Sequence, residues 1–245
     1  MSNQFNSQPN LSSQLPPQPQ QLRLNKFIAE RLGVSRREAD DLIADGKILV
    51  DGKPAVLGAR VAPGVKVCLG SEEIAFENDY VYIMMNKPVG YVCSRKRQGE
   101  TPTIYELLPE KYQKLKTVGR LDKESSGLIL FTNDGDFAYQ MTHPKFVKMK
   151  VYYVRLNRDL EPLHQQMISD FGVQLPDGVS KLGLTRRDVG ETRREFEVIM
   201  SEGRNRQIRR TFAALGYEVK QLRRVSFGKY NLGELKTGKI TEVDA

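Results

Sequence analysis

The chain has 245 residues, of which 39% are hydrophobic, and a formal net charge of +8. That length suits one large domain, or a small domain followed by a medium one, and its apolar runs, such as Gly127–Phe131, are far too short to cross a bilayer as a helix. Two cysteines, Cys68 and Cys93, and two histidines, His143 and His164, are too few and too scattered for a disulfide framework or a metal site, and they point to a reducing cytosol.

Residues 1–21 carry no charged side chain and are rich in Gln, Asn, Ser and Pro. Such a stretch cannot bury enough apolar surface to offset its ordering entropy, so a disordered tail is expected there. It lacks the basic region and apolar core of a signal peptide. From Leu22 to Asp79 there are 9 Lys and Arg against 10 Asp and Glu; from Tyr80 onward there are 29 against 20, a net of +9. The basic excess therefore lies in the larger, later part, where it fits either general solubility or a polyanionic partner.

Leu24, Phe27, Ile28 and Leu32 recur at helical spacing, and Gly33 ends that helix. Ser35-Arg-Arg-Glu38 then fits a capping box that opens a second helix ending at Gly46. Ile48-Leu-Val50, Asp51-Gly52 and Pro54-Ala-Val56 read as a hairpin. These elements predict a small helix–helix–strand domain over residues 22–70, followed by an acidic linker at 71–79. Arg23, Lys26, Arg36, Arg37 and Lys47 surround the two helices. Arginines in the first turn of a helix oppose its dipole, so they fit either a solvated face balanced by Asp40, Asp41 and Asp45 or a site for phosphate.

Residues 80–245 predict an α+β domain. Strands are expected at 80–85, 90–94, 127–132, 149–156, 194–200 and 217–225, and helices at 102–108, 135–142, 160–170 and 205–214, with turns at Asn133-Asp-Gly135 and Pro176-Asp-Gly178. Three segments carry candidate chemistry. Gly119-Arg-Leu-Asp-Lys-Glu-Ser-Ser-Gly-Leu128 sets Asp122 on a tight loop feeding an apolar strand, as either a surface turn or a site carboxylate on a rigid scaffold. In Lys148-Met-Lys-Val-Tyr-Tyr-Val154, Lys150 and Tyr152 share one strand face, which suggests a pocket wall. Gly203-Arg-Asn-Arg-Gln-Ile-Arg-Arg210 packs four arginines into the start of a helix, where they repel unless anions are near.

Two resemblances extend this reading. Arg23-Leu-Asn-Lys-Phe-Ile28, Gly33-Val-Ser-Arg-Arg-Glu-Ala39 and Val50-Asp-Gly-Lys53 resemble the RNA-binding domain named after the fourth small-subunit ribosomal protein; this implies that Arg23, Lys26, Arg36, Arg37 and Lys47 meet structured RNA, mainly by backbone and shape. Met85-Asn-Lys-Pro-Val-Gly-Tyr91 and the three segments above resemble the pseudouridine synthases, within the branch that includes the enzyme modifying small-subunit ribosomal RNA. That resemblance implies a mostly antiparallel mixed sheet with flanking helices and isomerisation of a uridine in ribosomal RNA. Asp122 would be the catalytic aspartate, Tyr152 the active-site tyrosine and Arg209 the arginine pairing the carboxylate. Lys87, Arg120, Lys150, Arg204 and Arg206 would contact RNA. Ser126 and Val151 depart from the family's usual residues without touching these roles. No cofactor or metal is expected, and nothing points beyond a monomer. The partner would be ribosomal RNA or a ribosomal subunit assembly intermediate, and an RNA-binding assembly factor with an inert synthase domain is the alternative.

Overall fold

Ser35 opens the second helix as its pattern predicts: its hydroxyl accepts from the Glu38 amide at 3.1 Å, and the Glu38 carboxylate accepts from the Ser35 amide at 2.7 Å. The computed structural model describes residues 21–76, 79–188 and 190–245, in two units divided after Asn78. The tail expected at 1–21 lies, but for Gln21, outside the described residues.

In the first unit, β1 (Leu22–Arg23) leads into α1 (Leu24–Arg31) and α2 (Arg36–Ala44). Asp51 and Gly52 both take positive φ, 48° and 77°, the two-residue turn that matches strand twist. That turn joins β2 (Ile48–Val50) to β3 (Lys53–Pro54). β4 (Arg60–Val61) pairs with β1, and β5 (Val67–Leu69) and β6 (Glu72–Glu73) complete an antiparallel sheet in the order β3-β2-β5-β6. Leu24, Phe27, Ile28, Ile43, Ile48 and Val67 form its core. The expected linker needs correction. β6 pairs with β5, Ile74 is only 6% exposed, and Phe76 packs on Phe27 with ring centroids 4.4 Å apart. The glutamates of 72–73 point outward from an edge strand, so an acidic composition there does not mean an unstructured one.

The second unit is built on β7 (Tyr82–Lys87), β8 (Lys116–Val118), β9 (Ser126–Thr132), β10 (Lys150–Leu156), β13 (Gly183–Arg186), β14 (Glu195–Met200), β15 (Val219–Phe227), β16 (Tyr230–Asn231) and β17 (Ile240–Glu242). The main path runs β13-β14-β10-β15-β9-β7-β17, with β16 on β15 and β8 on β9. Every ladder is antiparallel except β9 with β15. β9 is apolar at nearly every position because both sheet faces are covered. Ile129 and Phe131 join the larger core with Ile208 and Phe212 of α5 (Gln207–Ala214), while Leu128 and Leu130 face Met141 of α3 (Gly135–Thr142).

Several expected elements differ. Segment 90–94 makes only the isolated bridge Val92–Thr103, because Pro88 and Pro102 lack the amides a ladder needs. Segment 102–108 tightens to a 3-10 turn at Ile104–Leu107. The helix expected at 160–170 is α4 (Pro162–Gln166) running into a π-turn at Met167–Phe171, which stops at Gly172. Beyond it, the Pro176-Asp-Gly178 turn connects a hairpin, β11 (Val173–Leu175) and β12 (Gly178–Ser180).

Candidate active site

Asp122 sits between β8 and β9 in a loop fastened from behind. Lys87 is 0% exposed, and its ammonium donates to the carbonyls of Pro88 (3.0 Å), Asp122 (3.1 Å) and Ser125 (2.7 Å). Burial lowers its pKa, while the charges of Asp122 and Glu124 pull the other way. The Ser125 amide closes the turn onto the Asp122 carbonyl at 3.0 Å, and the Gly90 amide holds the Lys123 carbonyl at 2.8 Å. Gly127, at φ +102°, lets this loop enter β9: a Cβ there would stand 2.1 Å from the Arg224 carbonyl oxygen on β15.

The Asp122 side chain is 32% exposed and lies 3.7 Å from Nη1 of Arg206. Arg206 also pairs with Glu124 at 2.9 Å, and that contact, ahead of all other causes, holds the Glu124 carboxyl below its usual range. Arg206 precedes α5 in the left-handed region, φ +48°, a conformation that costs energy for a non-glycine residue and clusters at functional sites. A cleft of about 360 Å³ opens beside Asp122, lined among others by Arg120, Tyr152, Arg206, Leu222 and Arg224. Tyr152 is 8% exposed and stands directly across the β10–β15 ladder from Arg224, which puts both side chains on the cleft face.

Asp122, Arg120, Lys150, Tyr152, Arg204 and Arg206 therefore share one cleft, while Lys87 and Arg209 do not line it. Two expectations need correction, for Arg209 and Lys87. Arg209 makes no ion pair with Asp122 among the described residues. One turn into α5, it donates instead to the carbonyls of Val219 (2.8 Å) and Glu124 (3.0 Å) and to the Ser125 hydroxyl (3.3 Å). Arg206 is the cation beside the carboxylate. Lys87 has no access to RNA, since its charge is spent on the loop. Arg204 clamps the β11–β12 turn through the carbonyls of Asp177, Gly178 and Val179 and the carboxylates of Asp177 and Glu202.

Lys150 does form the cleft wall, but its ammonium donates to the carbonyls of Lys148, Ser201 and Glu202 at 3.2–3.3 Å, and burial lowers its pKa. Arg120 is exposed and forms no hydrogen bond or ion pair among the described residues. Arg224 escaped the sequence reading. The alternation Leu222, Arg224 on the buried face of β15 is the signal that could have found it.

In the first unit, Arg23, Arg36 and Arg37 are exposed and enter no ion pair among the described residues. Lys47 pairs with Asp45 at 2.9 Å, and Lys26 lies 3.9 Å from Glu30 with most of its side chain covered.

Known proteins agree with both units. Residues 22–67 match the model of the S4 domain, and residues 81–214 match that of the RNA pseudouridylate synthases. The chain is 33% identical over 216 residues to an uncharacterized RNA pseudouridine synthase of Aquifex aeolicus, covering 87% of this chain and 88% of the relative. It is 32% identical over 225 residues to the ribosomal large subunit pseudouridine synthase B of Bacillus subtilis, covering 90% and 91%. A crystal structure of a pseudouridylate synthase superposes with a TM-score of 0.65 at 30% identity, over 91% of this chain and 96% of that one. With the sequence motifs, the two-unit fold and the relatives in agreement along most of its length, the chain belongs to the RNA pseudouridine synthase family of isomerases, with an S4 domain at its N-terminal side.

Proposed function

We propose that this protein converts one uridine of large-subunit ribosomal RNA to pseudouridine, with the Asp122 carboxylate acting at the ribose as the glycosidic bond opens. One observation carries the reading: a carboxylate on a loop locked by two cations lines a cleft of about 360 Å³ together with a tyrosine. That volume falls in the range of small-ligand sites. The Bacillus subtilis relative is named for the large subunit, which supports that choice of RNA.

The chemistry suits the residues. The bond from C1′ to N1 breaks, the base turns, C5 bonds to C1′, C5 loses its proton and N1 gains one. The rearrangement exchanges no electrons with an outside partner, so side chains can carry it. Asp122 supplies negative charge where the sugar becomes electron-poor, and the Arg206 guanidinium lies 3.7 Å from it. Lys87 and Arg209 act as positioning residues that fix the loop backbone. The Tyr152 ring forms one wall for the base. Extruding a uridine costs a few kcal/mol; phosphate contacts from Arg120, and from Arg23, Arg36 and Arg37 in the S4 domain, offset that cost.

The test uses ribosomal RNA transcripts tritiated at C5 of uridine. Asp122→Asn is expected to abolish tritium release while RNA affinity stays within about twofold; normal turnover by this variant overturns the assignment. Mapping pseudouridines in cells lacking the protein is expected to reveal one missing site in large-subunit RNA. A gap confined to small-subunit RNA would move the substrate to that subunit.

A further inference from the structure

Arg224 is a buried cation with no carboxylate partner among the described residues. It is 3% exposed, yet only its Nε is hydrogen-bonded, to the Leu128 carbonyl at 2.8 Å. Its Nη2 is sealed from solvent with no acceptor, and its Nη1 bonds to no described residue. Among the described residues no carboxylate pairs with it. The guanidinium lies over the Phe227 ring, 4.8 Å from the centroid, and the Lys150 ammonium is 5.4 Å from the same ring. A second cation thus adds repulsion where an anion would be expected. Buried donors are nearly always satisfied, and leaving a buried guanidinium unpaired is costly. An acceptor that arrives with a ligand resolves this.

We propose that Arg224 is the receptor for a carbonyl oxygen of the extruded uracil, and that it holds the negative charge of the base while the base is detached from the sugar. This rests on the reaction proposed above. The base is the deepest-reaching part of a flipped nucleotide, whereas its phosphates stay at the mouth, where Arg120 is exposed and free. Around Arg224 the cleft offers Tyr152, Leu222 and Phe227, apolar walls suited to the faces of a planar ring. When the C1′–N1 bond breaks, its electron pair leaves with the ring and spreads over N1 and both carbonyl oxygens. A fixed donor at one of those oxygens binds the detached base more strongly than the starting uridine, which is the condition for accelerating the step. When C5 bonds to C1′, the C5 proton leaves, N1 takes up a proton, and the ring is neutral again. Arg224 keeps its protons throughout.

Two arms test this with the full-length protein. In the first, RNA fragments carry uridine, 2-thiouridine or 4-thiouridine at the mapped position, because a thiocarbonyl is a poor hydrogen-bond acceptor. Arg224→Gln is expected to slow single-turnover isomerisation of the uridine substrate about 10²- to 10³-fold, with RNA affinity within about twofold. One of the two thio substitutions is expected to slow the native enzyme and to cost nothing further in Arg224→Gln. Native rates in that variant, or a thio penalty undiminished in it, overturn the proposal and leave Arg224 a packing residue. Should Arg224→Gln not fold, Arg224→Lys takes its place in the same comparison. The second arm follows the Arg224 guanidinium by nitrogen-15 NMR as transcript is added. Shifted, slowly exchanging Nη protons are expected, and an unmoved signal overturns the proposal. If the native protein released no tritium, the reaction would fail while this arm still decided the contact.

Discussion

The helices α2 and α5 both begin among arginines, and the two clusters are resolved in opposite ways. Arg36 and Arg37 open α2 with exposed side chains and enter no ion pair among the described residues. At the start of α5 each arginine is engaged: Arg204 with the β11–β12 turn, Arg206 with Asp122 and Glu124, Arg209 with the Asp122 loop, and Arg210 with Asp177 at 2.7 Å. Cations near a helix N-terminus are electrostatically disfavoured. In the S4 domain the two arginines stay open, with no ion-pair partner among the described residues. The synthase domain relieves that disfavour internally, and in doing so builds the loop that carries its carboxylate. Cation density in a sequence therefore marks two different arrangements, one left open and one closed by partners within the protein.

The closed cluster should fail by losing geometry, the open one by losing salt-sensitive binding. The largest effect is expected for Gly127→Ala, which forces a Cβ against the β15 backbone 2.1 Å away. Chemical denaturation should register a loss of about 3 kcal/mol or more, and a near-neutral result would mean β9 and β15 are less closely fitted than described. Arg209→Ala comes next: with the loop released, turnover is expected to drop about a hundredfold at unchanged RNA affinity. A matching drop in affinity would place Arg209 in the open class instead. The pair Arg36→Ala and Arg37→Ala should leave the denaturation midpoint almost unmoved while lowering the slope of log K against log salt by about one per arginine. A salt slope equal to the native one breaks the comparison from the other side. Smallest of all is Glu124→Gln. The folded-state pKa of Glu124 is depressed by its bond to Arg206, so its stabilisation is present above the ordinary glutamate pKa of about 4.3 and is lost as pH falls through the depressed value. Solvent screens this exposed pair, so acid denaturation of the variant should differ by about 0.5 kcal/mol or less.

Local chemistry made much of this molecule readable in advance. The Ser35–Glu38 capping box, the Asp51-Gly52 turn, the apolar run of β9 and the Lys150/Tyr152 face of β10 follow from short-range rules that the fold obeys. The motifs marked the loop of Asp122, and its cleft lies there. What the sequence hid is where charged groups end their reach. Lys87 and Arg209 are indistinguishable from surface cations until the carbonyls they bind are in place. Arg224 follows another arginine, and its burial depends on a ladder to β10 and a parallel contact with Gly127. The acidity of 71–79 reads as a linker, and it hides the pairing of β6 and the packing of Ile74.

The parallel junction of β9 with β15 also sets a timetable. The bonds that fix the Asp122 loop and seat Arg224 link residues 85 and 96 positions apart, Arg209 to Glu124 and Arg224 to Leu128. Contacts so distant along the chain form slowly and only once both partners exist. The S4 domain can therefore mature during translation, whereas the cleft cannot close before Phe227 has left the ribosomal tunnel. A nascent chain would be able to hold RNA well before it could alter it.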